Sequence, residues 1–216
     1  QIMEVRHLTP NDIVLELGGN IGRNSLIISS ILTNPSRQHL VVETIPKDAN
    51  TLREHAKLNN LNFQVLEGAI SKNNLIQNSW KTEIAPEDGS VPSDYFKVKT
   101  FLWNDVVSKY NMKFNTIVAD CEGCLVDMLR EFPEILRNVK KIIIEHDFVS
   151  EEDYSQFKKI LGQNNFKMID SLLKTDPYCP GQDWKNQYFI SVWKRLEFET
   201  PPRNLFGFQS PCWWPT

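Results

Sequence analysis

The chain has 216 residues, 41% of them hydrophobic and 24% charged, with a net charge of -3. That length and apolar share fit one domain around one core, and the missing basic excess argues against a nucleic-acid partner. No apolar run reaches the roughly 18 to 20 residues that span a bilayer, and the opening QIMEVRHLTP lacks a signal-peptide core, so a soluble chain with no membrane span is expected.

Short β-branched runs alternate with amphipathic stretches, the pattern of helices on both faces of a mostly parallel sheet. The first strand is expected over Ile13 to Leu17, ending at Gly18-Gly19, with a helix from about Asn24 that Asn34-Pro35 closes. His39 to Glu43 reads as the second strand, Pro46 to about Leu58 as a helix, and Phe63 to Leu66 as the third strand. Periodicity fades from Ser71 to Asp94, where Pro86, Asp88-Gly89 and Pro92-Ser93 mark turns, so residues 71–96 are expected to be an insertion forming a hairpin over a site. A strand over Phe96 to Phe101 and a short helix from Asp105 to Tyr110 follow. Then come strands at Thr116 to Asp120 and Lys141 to Glu145, flanking a helix from Val126 to Leu136 that Pro133 interrupts. A helix with an acidic first turn spans Glu151 to Leu161, and Lys167 to Ser171 with Tyr188 to Trp193 make an antiparallel pair. These elements place one domain over 1–199, with a Pro- and aromatic-rich tail, 200–216, packed on it. Aromatics such as Tyr178, Trp184 and Trp213 read as packing residues.

The first residue is Gln rather than Met, which predicts a piece of a longer protein. Cys121, Cys124, Cys179 and Cys212 are too few and too uneven for a disulfide-stapled scaffold, so a reducing, cytoplasmic setting is expected. Cys121-x-x-Cys124 has no second pair to complete a zinc site, and thioredoxin-like chemistry is disfavoured with it.

Glu16-Leu17-Gly18-Gly19-Asn20-Ile21-Gly22 lies where the first strand turns into a helix, and glycines there let a ligand approach the backbone. The order differs from the Gly-x-Gly-x-x-Gly that cradles a pyrophosphate. A carboxylate at Glu16 repels a diphosphate and suits the cationic amino-acid end of S-adenosylmethionine (SAM). Glu43 ends the second strand where an acid accepts both ribose hydroxyls, and Gly68, Ala69 and Ile70 follow the third strand where small residues admit an adenine. Asp120-Cys121-Glu122-Gly123 and Glu145-His146-Asp147 end the next two strands and converge on the same mouth in a doubly wound sheet. Methyl transfer to a hydroxyl needs the two reactants held in line and a proton acceptor. His146 fits the acceptor role by its near-neutral pKa, with Asp120 or Glu122 orienting the hydroxyl or sharing the base role. The same side chains could hold a divalent cation, a secondary reading.

These residues resemble the FkbM-type class I SAM-dependent methyltransferases. Glu16 to Gly22 is similar to that family's Asp-x-Gly-Ala-Asn-x-Gly loop, Glu43 with Pro46 to its Glu-Pro-x-Pro, and Asp120 to Gly123 to its Asp-x-Glu-Gly, over about Asp12 to Phe148. Thr44 departs from the first Pro, Asn104 from the usual Asp-Asp, and Cys124-Leu125 from the usual small-acidic pair. The resemblance implies a Rossmann-like seven-stranded fold, SAM as cofactor and O-methylation of a sugar hydroxyl, often in a glycan, by domains often joined to glycosyltransferases. Two other classes stay open: a nicotinamide-dependent oxidoreductase and a catalytically silent SAM-fold module.

Overall fold

A computed structural model describes residues 1–173 and 189–196. The tail over 200–216, Cys179, Cys212, Tyr178, Trp184 and Tyr188 lie outside the described residues. The chain opens with helix α1 (Ile2–His7), then β1 (Val14–Leu17), α2 (Arg23–Ile31), α3 (Pro35–Gln38), β2 (His39–Glu43), α4 (Pro46–Leu58) and β3 (Gln64–Glu67). Five short strands and a helix follow in the order β4 (Ala69–Ile70), β5 (Leu75–Asn78), β6 (Lys81–Ile84), β7 (Phe96–Val98), β8 (Thr100–Phe101) and α5 (Trp103–Tyr110), before β9 (Thr116–Ala119). The described residues then form α6 (Cys124–Glu131), a 3-10 turn (Pro133–Arg137), β10 (Lys141–Glu145), α7 (Glu151–Gln163), β11 (Phe166–Leu172) and β12 (Ile190–Arg195).

The main sheet has seven strands in the order β11-β12-β10-β9-β1-β2-β3, with β12 antiparallel to both of its neighbours and the remaining pairs parallel. Central strands are covered on both faces, which is why β1 (VLEL), β2 (HLVVE) and β9 (TIVA) are buried along their whole length. Leu15, Leu40, Ile117 and Ile142 face the side that α5, α6 and α7 cover with Val106, Leu129 and Phe157. Val14, Val118 and Ile143 face the other way, onto Met3 of α1 and Ile28 of α2, while Val41 packs on Leu52 of α4. Buried Ala49, Leu52 and Ala56 recur at helical spacing in α4, and Pro46 begins that helix at the one turn where its missing N–H costs nothing.

Strand order reverses between β1 and β9, so the carboxyl ends of these two strands part and leave a crevice. The segment after β3 builds the crevice wall. Hairpin β5–β6 pairs antiparallel, β7 joins it on the β5 side, and β8 pairs with β4 in a separate two-stranded ladder. The single strand expected over Phe96 to Phe101 is thus two, because the chain changes partners at Lys99: Val98 lies opposite Leu75, whereas Thr100 lies opposite Ala69. The helix expected over Val126 to Leu136 starts earlier, at Cys124, and stops at Glu131, since Pro133 cannot donate to a continuing helix. Helices α1 and α3 were not expected. They are 6 and 4 residues long, too short for periodicity to show, and α1 is held by burial of Met3 and Glu4. No helix among the described residues is long and apolar enough to cross a membrane.

Candidate active site

The crevice is shaped first by its glycines. A Cβ on Gly18 would lie 1.8 Å from the Asp120 carbonyl oxygen, and the residue has φ +84°, so only glycine lets the ends of β1 and β9 come this close. A Cβ on Gly19 would lie 2.3 Å from Val41 Cγ1. The loop therefore presents bare backbone to the crevice. Gly18 touches each of three cavities. The outer one, about 650 Å³, is lined by Glu4, Gly19, Asn20, Asp120 and Glu145. The middle one, about 280 Å³, is lined by Asn20, Glu43, Gln77, Trp80, Asp120 and Glu122. The inner one, about 350 Å³, is lined by Ala69, Ile70, Ser71, Cys121, Gly123 and Met128.

Glu43 is fixed by the backbone around it. Its two oxygens accept from the N–H groups of Asn20 (2.6 Å) and Ile45 (2.7 Å), which ties the glycine loop to the end of β2. Burial raises the Glu43 pKa, opposed by these two backbone bonds and reinforced by Asp48. Each carboxylate oxygen keeps acceptor capacity for a ligand hydroxyl. Ser71 is held to α6 by its hydroxyl bond to Glu131 (3.0 Å), which fixes the wall of the inner cavity.

The opposite side of the crevice is acidic. Asp120 and Glu145 lie at the ends of neighbouring strands and both line the outer and middle cavities, where their carboxyl groups are coupled to one another. Burial and the Asp120 charge push the Glu145 carboxyl up to about 7, and burial likewise raises Asp120. Asp147, mostly through burial and despite accepting from the Glu122 N–H, is pushed up to about 6. Burial and Asp120 raise Glu122 as well. Asp120, Glu122 and Glu145 line the crevice with raised pKa values, Asp147 lies behind them outside the three cavities, and Glu145 is the lining group that can take up a proton near neutrality.

Several expected site residues are brought together here: Gly18, Gly19, Asn20, Glu43, Ala69, Ile70, Asp120 and Glu122 all line the cavities. Others are not. Glu16 lies on the α2 face of β1, fully buried, and bonds His39 Nε2 at 2.8 Å, whose Nδ1 meets Ser29 Oγ at 2.8 Å. A buried imidazole answers one oxygen of that carboxylate, and the other, Oε1, is buried without a hydrogen-bond partner. His146 also turns away. Its ring is buried, shares a 2.7 Å bond with Ser191 Oγ, and packs edge-on against Phe148, so it lines none of the three cavities. Strand alternation explains this: Glu145 and His146 are consecutive, and only the first faces the crevice. Gly22 caps α2 at φ +101°, and Gly68 turns the chain where a Cβ would strike the Lys99 carbonyl; neither lines any of these three cavities.

Sequence reasoning missed Glu4, Glu145, Gln77 and Trp80 as site residues. Glu145 was within the acidic triplet that carried the signal, but Glu4 lies on a helix too short to detect. Gln77 is 3% exposed; its Nε2 donates to the Ser79 carbonyl at 2.8 Å, leaving a buried Oε1 without a hydrogen-bond partner. Trp80, at the hairpin turn, is 63% exposed and borders both the outer and middle cavities. Cys121 and Cys124, set aside above as a redox pair, form a disulfide. Among the described residues no group of three or more His, Cys, Asp or Glu is arranged to hold a metal ion.

Neither a family profile nor a curated protein matches the sequence. Many solved structures match the fold. An uncharacterized protein from Listeria monocytogenes serotype 4b aligns over 91% of this chain and 66% of its own length, with TM-score 0.55 and 13% identity. An rRNA methylase from Streptococcus thermophilus aligns over 91% of this chain and 93% of its own, with TM-score 0.53 and 7% identity. An O-methyltransferase from Bacillus cereus, solved with S-adenosylhomocysteine, aligns over 90% and 77%, with TM-score 0.51 and 15% identity. The chain therefore has the Rossmann-like fold of class I SAM-dependent methyltransferases.

Proposed function

We propose that the chain is a SAM-dependent O-methyltransferase acting in the cytoplasm on a sugar hydroxyl, in a glycan acceptor, as its motifs resemble those of the FkbM-type enzymes. The observation that carries the cofactor reading is Glu43, buried at the end of β2 and locked by the Asn20 and Ile45 amides with acceptor capacity left over. In this reading Glu43 takes the ribose hydroxyls, Ala69, Ile70 and Ser71 take the adenine, and the bare backbone at Gly18 and Gly19 takes the methionine end. Glu4 lines the outer cavity, but its carboxylate is paired with the Gln1 amino group at 2.6 Å, so the charge role expected of Glu16 is left unassigned. The orphaned Gln77 oxygen asks for a ligand hydrogen-bond donor, as the hydroxyls of an adenosine or a sugar provide.

When bound, SAM supplies an electrophilic methyl group that passes to the acceptor oxygen while the carbon–sulfur bonding pair returns to sulfur. The protein's part is to orient the hydroxyl and accept its proton. Asp120 and Glu145 are the groups placed for that, since both line the crevice and the Glu145 carboxyl is pushed up to about 7, where it can gain and lose a proton near neutral pH. The proton acceptor is thus reassigned from His146 to this pair, with Glu122 beside it. An rRNA methylase shares the fold. Here, however, the crevice acids would repel a phosphate backbone, which favours a neutral hydroxyl acceptor over nucleic acid. Trp80 offers an exposed ring face against which a sugar could lie.

Calorimetric titration with SAM, and in parallel with NADH, tests the cofactor. Micromolar binding of SAM alone is expected, and binding of NADH alone would replace the reading by an oxidoreductase. Transfer of labelled methyl to glycans, with and without divalent cation and with RNA as a control, tests the acceptor. Label entering RNA and not glycan would overturn the sugar assignment.

A further inference from the structure

We propose that Cys121 and Cys124 form a thiol–disulfide exchange site that takes a dithiol as reducing partner and sets the shape of the cofactor recess. Its consequence for binding rests on the cofactor reading above; its chemistry does not. Two independent observations carry it. First, the two cysteines are joined as a disulfide spanning Glu122-Gly123, with Cα atoms 5.4 Å apart, in a sequence whose four cysteines are too few and too uneven for a disulfide-stapled scaffold. In a reducing compartment such a bond is transient, and it serves catalysis or redox sensing. Second, the ring stands in the wall of the site. Cys121 lines both the middle and inner cavities, and Cys124 lines the inner one.

The bond holds a local conformation that the chain does not favour by itself. Both bridged residues are left-handed, Glu122 at φ +54° and Gly123 at φ +84°, and for glutamate that region is costly. The ring holds Glu122 against the Asp120–Glu145 pair and points its N–H at Asp147. Cys124 is also the first residue of α6, where the helix N-terminus favours a thiolate, the form that exchanges.

The exchange balances without further reactants. A thiolate of the dithiol attacks one sulfur of the Cys121–Cys124 bond and forms a mixed disulfide, releasing the other cysteine as a thiol. The second partner thiol resolves the mixed disulfide. Two electrons and two protons pass to the cysteine pair, and the partner leaves as its own disulfide. Released from the ring, Glu122 relaxes out of the left-handed region and the shared wall of the two cavities loosens, so the oxidised form is the one that binds cofactor tightly.

The test uses the full chain equilibrated in oxidised and reduced dithiothreitol at fixed ratios. Alkylation with peptide mass mapping separates Cys121 and Cys124 from Cys179 and Cys212, and SAM titration follows at each ratio. Reduction is expected to weaken SAM binding about tenfold. In the C121S/C124S double variant, affinity is expected at the reduced level under every ratio, with the fold checked by circular dichroism. Equal SAM affinity in wild-type protein whose pair is shown by mass to be fully oxidised and fully reduced would overturn the proposal, as would a pair that alkylates completely in oxidising buffer. If SAM binds in neither state, the cofactor reading fails instead. The exchange site then stands or falls on whether the mapped pair alkylates in reduced buffer and resists alkylation in oxidised buffer.

Discussion

Glu43 and Glu145 each end a strand of the same sheet, on either side of β1, and their surroundings are opposite. Glu43 is met by two backbone N–H groups at 2.6 and 2.7 Å, which oppose the effect of its burial without cancelling it and fix its geometry. Glu145 is raised to about 7, first by burial and then by repulsion from Asp120, Asp147 and Glu122, with no backbone N–H among the causes to oppose it. One side of the crevice is thus a rigid binding surface whose acid stays in place. The other is a reservoir for a proton. A methyl transfer to a hydroxyl needs both, and it needs them apart, because an acid committed to holding ribose cannot also gain and lose a proton.

The division breaks most sharply by neutralising the proton-accepting side. In Asp120→Asn or Glu145→Gln, turnover is expected to fall about 10²- to 10⁴-fold, the range for a removed general base. SAM affinity should stay within about threefold by calorimetry. A large loss of affinity with turnover per bound cofactor unchanged would merge the two sides into one binding surface. The converse variant, Glu43→Ala, leaves the Asn20 and Ile45 amides without their acceptor and removes the ribose contacts. SAM affinity is expected to weaken about 10- to 50-fold, as for one or two charge-assisted bonds. A wild-type affinity would remove Glu43 from the cofactor site.

The binding side was the legible one. Glycines at the end of a strand, an acid at the end of the next, and small residues after the third are local facts of sequence, and Gly18, Glu43 and Ala69 all line the crevice. Glu16 shows where locality fails. Its sequence position at the strand end suggested a ligand, but the imidazole that answers it arrives from His39, across the sheet in the neighbouring strand. The acidic side depended in the same way on strand alternation at β10, where a shift of one residue exchanges Glu145 for His146. Glu4 and Gln77 belong to a six-residue helix and a four-residue strand that only tertiary contacts hold, so no periodic signal announced them.

The raised carboxyls also give the two sides different pH behaviour. If the Asp120–Glu145 pair accepts the proton, turnover below pH 7 is expected to fall by up to about tenfold per unit and to level above it, while SAM affinity is flat between pH 6 and 8. Stability should move the other way. The folded-state pKa of Glu145 lies above its ordinary 4.5, so the protonated carboxyl is compatible with the fold at low pH. Stability is then lost as pH rises from about 4.5 through 7, where the unfolded chain ionises first. Because the group is only half-buried, solvent screening limits the effect to about 1 kcal/mol. Urea unfolding at pH 5 and pH 8 measures it, and Glu145→Gln should be relatively more stable than wild type at pH 8 than at pH 5. A profile indifferent to this substitution would place the titrating group elsewhere.

The smallest expected change in turnover comes from the residue that sequence chemistry favoured most. His146 is the side-chain type most often used as a base, but it shares its Nε2 bond with Ser191, whose oxygen also accepts from Trp193 Nε1 at 2.8 Å, and Phe148 and Tyr154 close over the ring. Replacing it with Ala opens a cavity and takes a partner from Ser191, at a cost of about 2 to 3 kcal/mol in urea unfolding. Turnover of the folded variant, measured at a temperature where it remains native, should stay within about twofold of wild type. A loss of 10²-fold or more with SAM affinity intact would return the proton to the imidazole and leave the acidic side of the crevice with a positioning role alone. Stability without turnover is therefore the signature that distinguishes a buried anchor of β10 from the base beside it.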